Sequence, residues 1–443
     1  MSKYSEHFLV RGKDIGVHAT KYLSGLLGNQ SRKNIECIGT DVVGSNYQGM
    51  QQMLSDSPWS AEGLMDQIGL EAQELLGGHR DSGLYFDETS FVKKGEHSVG
   101  VQRQYCGRLG KTENCQVGVF ASLGRGERAT LIDFRLFLPE AWAKDTERCE
   151  RARVPEDQRN HRTRTELAME MVMRARDRKS NHKWIGADAA YGTNQAFCAE
   201  LEDLGEKFVM DVLSTTKVWN ADPRPQAPEP KGQTVGRRGT RYAVSNTKAK
   251  EQSIQELVAQ RFEKESRMVT IRKTSQGSLE GPIWVCEVWV WDGSGDHARS
   301  RLLVVRKESD GKMKYSWSNF GNDTSWERLA YMQAQRYWIE RVFEDAKSEL
   351  GMAQYEVRGW KGWHHHMALV SLAMLFVLRE RVAFQAEAPL LTTRDIVELL
   401  EFYIPRRGTT EKEVLHDLVA RHTRRIQASK SHAKRGRIGS DIT

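Results

Sequence analysis

The sequence predicts an α/β protein: a mixed sheet flanked by helices, interrupted by a β-rich insert, with helical regions at both ends. Three observations carry that prediction. Short apolar or alternating runs, typical of strands, are interleaved with segments of helical spacing. Four of the ten prolines fall within residues 223–230 and separate this first part from a second, β-rich part. The longest apolar run, residues 367–378, is too short to cross a bilayer and reads as a buried helix.

Residues 1–80 read as short helices broken by Gly, Ser and Pro, the clearest being LMDQIGLEAQELLGG at 64–78 with its glycine stop. Three strand-like stretches follow: SGLYFDETSFVKKG, then SVGVQRQYCGRLGKTENCQVGVFASLG with a hairpin turn around 107–114, then RATLIDFRLFLP. Helical spacing returns in RTELAMEMVMRARDRK, before a strand KWIGADAAYG, a helix NQAFCAELEDLG and a strand KFVMDVL. After the proline-rich stretch comes a helix over 249–262 and four β-rich runs, RMVTIRK, PIWVCEVWVWDG, RSRLLVVRKE and KMKYSWSNF. One long helix over 325–351, the apolar helix after His366 and two further helices complete the chain. The order βββ-α-β-α-β, then an insert, then a long helix, is that of an RNase H-like core. It divides the chain into 1–80, 81–213, 214–322, 323–385 and 386–443.

Composition narrows the function. At 39% hydrophobic and 28% charged residues the chain is that of a globular protein. No P-loop is present, so nucleotide hydrolysis has no visible site. The six cysteines form no C-x-x-C pair, which argues against a zinc finger and against a disulfide framework. No signal peptide opens the chain, so a cytoplasmic location is expected, with no membrane partner. The net charge of +7 is concentrated at one end: residues 403–443 hold ten Lys and Arg against four acids, and the first 402 residues carry only +1. A basic tail on a near-neutral body suits a polyanion such as nucleic acid, and equally suits a solvated tail.

Asp87 lies in a strand among Leu84, Tyr85, Phe86 and Phe91, and Asp188 ends a short apolar strand before a glycine turn. A carboxylate in such surroundings is costly unless paired or bound to a cation. Were the two strands neighbours, their acids would repel and call for a hard divalent ion. Taken singly, a turn cap explains Asp188 and a strand-edge position explains Asp87. On the helix RYWIERVFEDAKSELG, Arg336, Glu340, Glu344 and Lys347 fall along one face, as a ligand flanked by cations or as ordinary i,i+4 pairs.

The set DETSFVKKG, HSVGVQRQYCGRLGKTENCQVGVF, GADAAYG and RYWIERVFEDAKSELGMAQYEVRGWKGWHHHMAL resembles a DDE-type transposase of a bacterial insertion sequence. The resemblance covers about residues 84–378 and is to the branch whose glutamate helix reads R-x3-E-x6-K and whose core carries a β-rich insert. It implies Asp87, Asp188 and Glu340 as the catalytic, metal-binding acids, with Arg336 and Lys347 contacting phosphate. Glu344 is the alternative third acid, but then the arginine and lysine spacing is lost. Where the related motif has a tyrosine three residues before the arginine, this chain has Gln333. The insert accounts for the long separation between Asp188 and Glu340.

The implied chemistry is cut-and-paste transposition: two Mg²⁺ ions, or Mn²⁺ in their place, serve cleavage at the element's ends and strand transfer to target DNA. The implied partners are double-stranded DNA, as terminal inverted repeats and as target, and a second copy of the chain in a homodimer on DNA. The place of action is the bacterial cytoplasm, at the nucleoid. Within the insert, core packing accounts for most of the tryptophans, and Trp317, nearest the glutamate helix, is the one placed to stack on a base as some related transposases do. Arg358 and Lys361 are expected on the DNA backbone, as are Arg424, Arg425, Lys434 and Arg435 in a tail that holds seven Lys and Arg and no acid from 421 to 437. The N-terminal region is the expected reader of the repeats. The consecutive histidines at 364–366 point about 100° apart on a helix and are not expected to share an ion. The alternatives are a DNA-binding regulator of transposase descent without catalysis and an RNase H-like nuclease without strand transfer.

Overall fold

The structure, a computed structural model, describes residues 2–30, 32–228, 242–274, 277–406 and individual residues between 410 and 430. The N-terminal region forms helices α1 (Gly16–Leu27), α2 (Ile35–Asp41), α3 (Tyr47–Ser55) and α4 (Ala61–Leu76). Asn34, Asn46 and Ser60 cap α2, α3 and α4 by accepting from the first-turn amides. Strands β1 (Ser82–Val92), β2 (Gln102–Cys106), β3 (Lys111–Arg125) and β4 (Arg128–Leu136) follow, then helix α5 (Arg164–Asp177), strand β5 (Trp184–Ala187), helix α6 (Gln195–Asp203) and strand β6 (Phe208–Asp211). The hairpin turn is tighter than the sequence suggests, closing at Gly110 in the left-handed region with φ 62°.

These strands pair in the order β4-β3-β1-β5-β6, and β3 alone runs against the others. That is the mixed sheet expected of an RNase H-like core. Its open edge is β6, with no neighbour from the core. The insert supplies one. Strands β7 (Lys217–Trp219), β8 (Glu251–Ser253), β9 (Arg267–Thr274), β10 (Gly277–Val290), β11 (Arg299–Lys307) and β12 (Met313–Ser318) continue the same sheet, with β12 antiparallel to β6, giving twelve strands among the described residues. The four β-rich runs all form strands. The helix expected over 249–262 begins later, as α7 (Ile254–Glu265), because Ser253 and Glu256 form a capping box while 251–253 pair with β7.

The single long helix expected over 325–351 is two: α8 (Trp326–Gln335) and α9 (Tyr337–Ser348). At the junction the Ile339 amide donates to the Arg336 carbonyl at 3.2 Å, an i→i+3 bond that tightens the turn. Helix α10 (Trp360–Ala383) is buried along most of its length, as its apolar run requires, and packs against α1, α3, α4 and β4. The N-terminal helices therefore share one core with the sheet. Lys33 fastens this layer to α9: its ammonium donates to the Leu26 carbonyl at 2.8 Å and to the Glu349 carbonyl, at the C-terminal ends of α1 and α9. The last helix with both ends described is α11 (Thr393–Leu400). Arg424, Arg425, Lys434 and Arg435 lie outside the described residues. Among the described residues no helix is long and apolar enough to cross a membrane.

The three histidines lie in the first turns of α10, His365 and His366 in the core and His364 half-buried, each on different partners. His365 meets the Leu54 carbonyl at 2.8 Å and the Trp59 carbonyl at 2.9 Å, and His366 meets the Tyr22 hydroxyl at 2.8 Å and the Met352 carbonyl at 3.2 Å. Burial lowers His365 to about 4 and His364 and His366 to about 3. An unfolded histidine takes a proton near 6.5, so this cluster supports the fold above that pH and withdraws support as pH falls toward 4. The drop in unfolding midpoint from pH 7 to pH 5 is therefore expected to be smaller in His366→Gln than in wild type; equal drops, read by circular dichroism, would contradict it.

Candidate active site

Sheet register sets three aspartates side by side. Phe86 on β1 is paired with Ala187 on β5, and Ala187 with Met210 on β6. The next residue on each strand is an acid: Asp87, Asp188 and Asp211. Adjacent strands lie about 4.8 Å apart. Two carboxylates at about 5 Å repel by about 3 kcal/mol at an effective dielectric of about 20, so the row calls for a proton or a cation.

Local backbone pins two of them. The Glu88 amide donates to Asp87 Oδ1 at 2.7 Å, and the Ala190 amide to Asp188 Oδ1 at 2.9 Å. Asp188 thus caps the turn Ala189–Gly192 and belongs to the row as well. The turn must close tightly on β6. A Cβ at Gly192 would sit 1.9 Å from the Asp211 carbonyl oxygen, so only glycine fits beside the strand end.

The cation is Arg336, at the junction of α8 and α9. Its Nε donates to Asp211 Oδ2 at 2.8 Å, Nη2 pairs with Glu340 Oε1 at 2.7 Å and Nη1 lies 3.6 Å from Asp87 Oδ2. Burial disfavours the charge on Arg336, but Asp211, Glu340, Asp87 and Asp188 together outweigh it and hold it protonated. Even so, burial pushes Asp87 up from 3.8 to about 7, with Asp188 adding to the rise and Arg336 opposing it. Burial raises Asp188 too, against the pull of Arg336. A folded-state value above the unfolded one means that Asp87 favours the fold below about pH 4 and ceases to as pH rises through 7. Its ionised form is the one that a further cation would relieve.

Of the helical face expected from sequence, Arg336 and Lys347 reach the sheet, Lys347 donating to the Thr89 hydroxyl on the Asp87 face of β1, while the exposed Glu340 is tied to it through Arg336. Glu344 pairs instead with Arg341 at 2.9 Å. Three neighbours of the acids went unnoticed in the sequence. Asp211 ends an apolar strand just as Asp188 does, and that signal was readable in KFVMDVL. Glu88, raised by burial and opposed by Arg164, pairs with Arg164 and receives the Tyr191 hydroxyl at 3.4 Å. Arg164 opens a helix far away in sequence and gave no sign.

The expected convergence of Asp87, Asp188 and Glu340 on one metal pair is not formed as the side chains stand. Among the described residues no three His, Cys, Asp or Glu side chains are grouped as a metal cage. The reason is Arg336, which lies between Asp87 and Glu340 and carries the balancing charge. The donors themselves, oxygen-only and crowded, fit a hard divalent ion such as Mg²⁺ or Mn²⁺ better than a soft metal.

Around the acids, Arg306, Lys314, Gln333 and Tyr337 join Asp211, Arg336 and Glu340 in a small cleft of about 120 Å³. Trp317 does not reach it. Its side chain is wholly buried, its strand paired on both sides with Leu303 and Met210, so the base-stacking expectation has no surface to act through and is set aside. Arg358 is exposed in a groove of about 1040 Å³ whose walls also carry Arg103, Arg148 and Arg151. Lys361 lines a different recess, with its ammonium 3.4 Å from the Asp56 carbonyl. Gly192→Ala is expected to destabilise the fold by about 1–3 kcal/mol through overpacking at the aspartate row; denaturant unfolding indistinguishable from wild type would contradict the close approach.

Comparison with known proteins identifies the family of the chain. A protein of Microchaete diplosiphon described as a "Probable transposase for insertion sequence element IS701" is 30% identical over 204 residues, 44% of this chain and 49% of that protein. The alignment thus spans about half the length of that relative. The DDE superfamily endonuclease family matches residues 11–278, a stretch that includes Asp87, Asp188 and Asp211 and ends before Glu340. With more than half of its length matched, the chain belongs to the DDE superfamily of endonucleases.

Proposed function

We propose that the protein is the transposase of an insertion sequence, cutting DNA at the element's ends and joining the freed 3′-hydroxyl to target DNA by a cut-and-paste route. The observation that carries this reading is the register of the sheet, which sets Asp87, midway along β1, beside Asp188 at the end of β5, while Arg336 bridges Asp87 and Glu340. The relative's printed description points the same way.

Asp87, Asp188 and Glu340 are the residues to hold the metal, two Mg²⁺ or Mn²⁺ ions. When bound, such ions activate an attacking oxygen and neutralise the charge gathering on the phosphate. The chain's own groups then position DNA. Arg336, held through Nε, presents its Nη atoms toward the acids and a phosphate there, while Lys347 reaches the same face from the last turn of α9. Glu88 and Arg164 brace the neighbouring strand position. Water and then a 3′-hydroxyl serve as nucleophiles, so no side chain forms a covalent intermediate. Arg358, with Arg103, Arg148 and Arg151, offers a basic wall for duplex backbone, with Lys361 contributing from its own recess. The tail bearing Arg424, Arg425, Lys434 and Arg435 adds sequence-independent contact, the N-terminal helices read the repeats, and two copies act together on DNA.

Asp87→Ala, Asp188→Ala and Glu340→Gln are each expected to abolish nicking of linear DNA carrying the element's ends in Mg²⁺, with DNA binding retained. Full cleavage by any one of them removes that residue from the site, and wild type that binds tightly without nicking would mark a regulator instead. Removing residues 421–443 should weaken binding and lower the slope of log K against log salt by several units, about 0.9 per lost phosphate contact. An unchanged slope would leave the tail as a solvated extension.

A further inference from the structure

Asp211 stands in the aspartate row but is bonded unlike its neighbours. Asp87 and Asp188 each spend one oxygen on a backbone amide. Both oxygens of Asp211 are taken by side chains: Oδ1 accepts from the Ser316 hydroxyl at 2.7 Å and Oδ2 from Arg336 Nε at 2.8 Å. Its charge is already met, so it has less need of an ion than Asp87 or Asp188.

The bonds extend into the insert. Ser316 Oγ accepts from Gln333 Nε2 at 3.0 Å, the same amide nitrogen donates to the Val304 carbonyl at 3.2 Å, and Gln333 Oε1 accepts from Arg306 Nε at 3.1 Å. Ser316 lies on β12, Val304 and Arg306 on β11, and Gln333 on α8. A buried polar chain therefore runs from two insert strands through one helix to the guanidinium at the acids. Each member has a partner, the condition under which such a chain fixes geometry rather than weakening the core. Gln333 is the position at which this sequence departs from the tyrosine of the related motif. A tyrosine hydroxyl cannot both donate to a carbonyl and a hydroxyl and accept from an arginine as this amide does.

Resting on the reading that Asp87, Asp188 and Glu340 hold divalent ions, we propose that Asp211 is a positioning residue for Arg336. Asp211, braced by Ser316, keeps Nε of Arg336 anchored at the strand end. The guanidinium thereby shares itself among acids instead of closing on Asp87 and Glu340 as a full competitor of the ion. The β-rich insert thus contributes to the active centre through the position of one arginine, without itself touching metal or the reacting phosphate.

The test is Mn²⁺ affinity of the full-length chain without DNA, read from the free-Mn²⁺ electron paramagnetic resonance signal. Asp211→Asn is expected to weaken Mn²⁺ binding about tenfold in the wild-type background, and by no more than about threefold when Arg336→Gln is also present. Ser316→Ala, which changes no charge, is expected to weaken binding a few-fold with Arg336 intact and not at all in Arg336→Gln. The double-mutant cycle isolates action through Arg336. Equal losses for Asp211→Asn in the two backgrounds would make Asp211 a ligand and overturn the inference. Unchanged affinity in both Asp211→Asn and Ser316→Ala would overturn it too. A wild-type chain that binds no Mn²⁺ would overturn the metal reading, and this inference with it.

Discussion

Carboxylates at adjacent positions on neighbouring parallel strands repel one another, and a sheet that places Asp87, Asp188 and Asp211 in register must supply positive charge at the same point. Arg336 supplies it. One guanidinium meets Asp87, Asp211 and Glu340 directly and also offsets Asp188 electrostatically. The compensation is incomplete, since burial still holds Asp87 near 7. In the proposed metal-binding role, a divalent ion would relieve the carboxylates that burial keeps from ionising.

Much of the rest of the molecule holds this balance in place. Helix α9 must bring Lys347 to β1 while α8 follows the insert strands, and the tightened turn at Arg336 divides those two tasks. Lys33 fixes the far end of α9 to the N-terminal layer. The insert covers the exposed edge of β6, removing a strand edge open to stray pairing, and extends a polar chain to the arginine. Gly192 allows the Asp188 turn to lie against the end of β6. None of these residues need touch DNA for its loss to be felt at the acids.

The element order was legible because strands and helices here carry clear periods: the three strand-like stretches, which form β1 to β4, the α-β-α-β that follows and the four insert strands are all present. Asp87 and Asp188 stood out as acids in apolar strands, and Glu340 through its spacing from Arg336 and Lys347. Asp211 carried the same strand-end signal as Asp188 but lay outside any motif. What a one-dimensional reading misses is register. Nothing in the lettering says that Phe86, Ala187 and Met210 lie across from one another, nor that β12 joins β6 and so brings Ser316 to Asp211. Trp317 shows the same limit. Trp317 sits near the glutamate helix in sequence, yet its strand is interior to the sheet and its indole faces the core. The helix break at Arg336 was invisible because its cause is the docking of α8 and α9 on different parts of the sheet, and α8 and α9 have no proline or glycine between them.

Anomalous diffraction from crystals soaked in Mn²⁺ addresses the acid cluster most directly. If these acids form a divalent-ion site, a manganese peak lies within about 2.2 Å of carboxylate oxygens of Asp87 and Asp188, and the Arg336 guanidinium has withdrawn from Asp87 while keeping its bond to Asp211. Manganese found only elsewhere, with Arg336 still bridging Asp87 and Glu340, would show that the arginine is the permanent counterion and that the row of aspartates is structural.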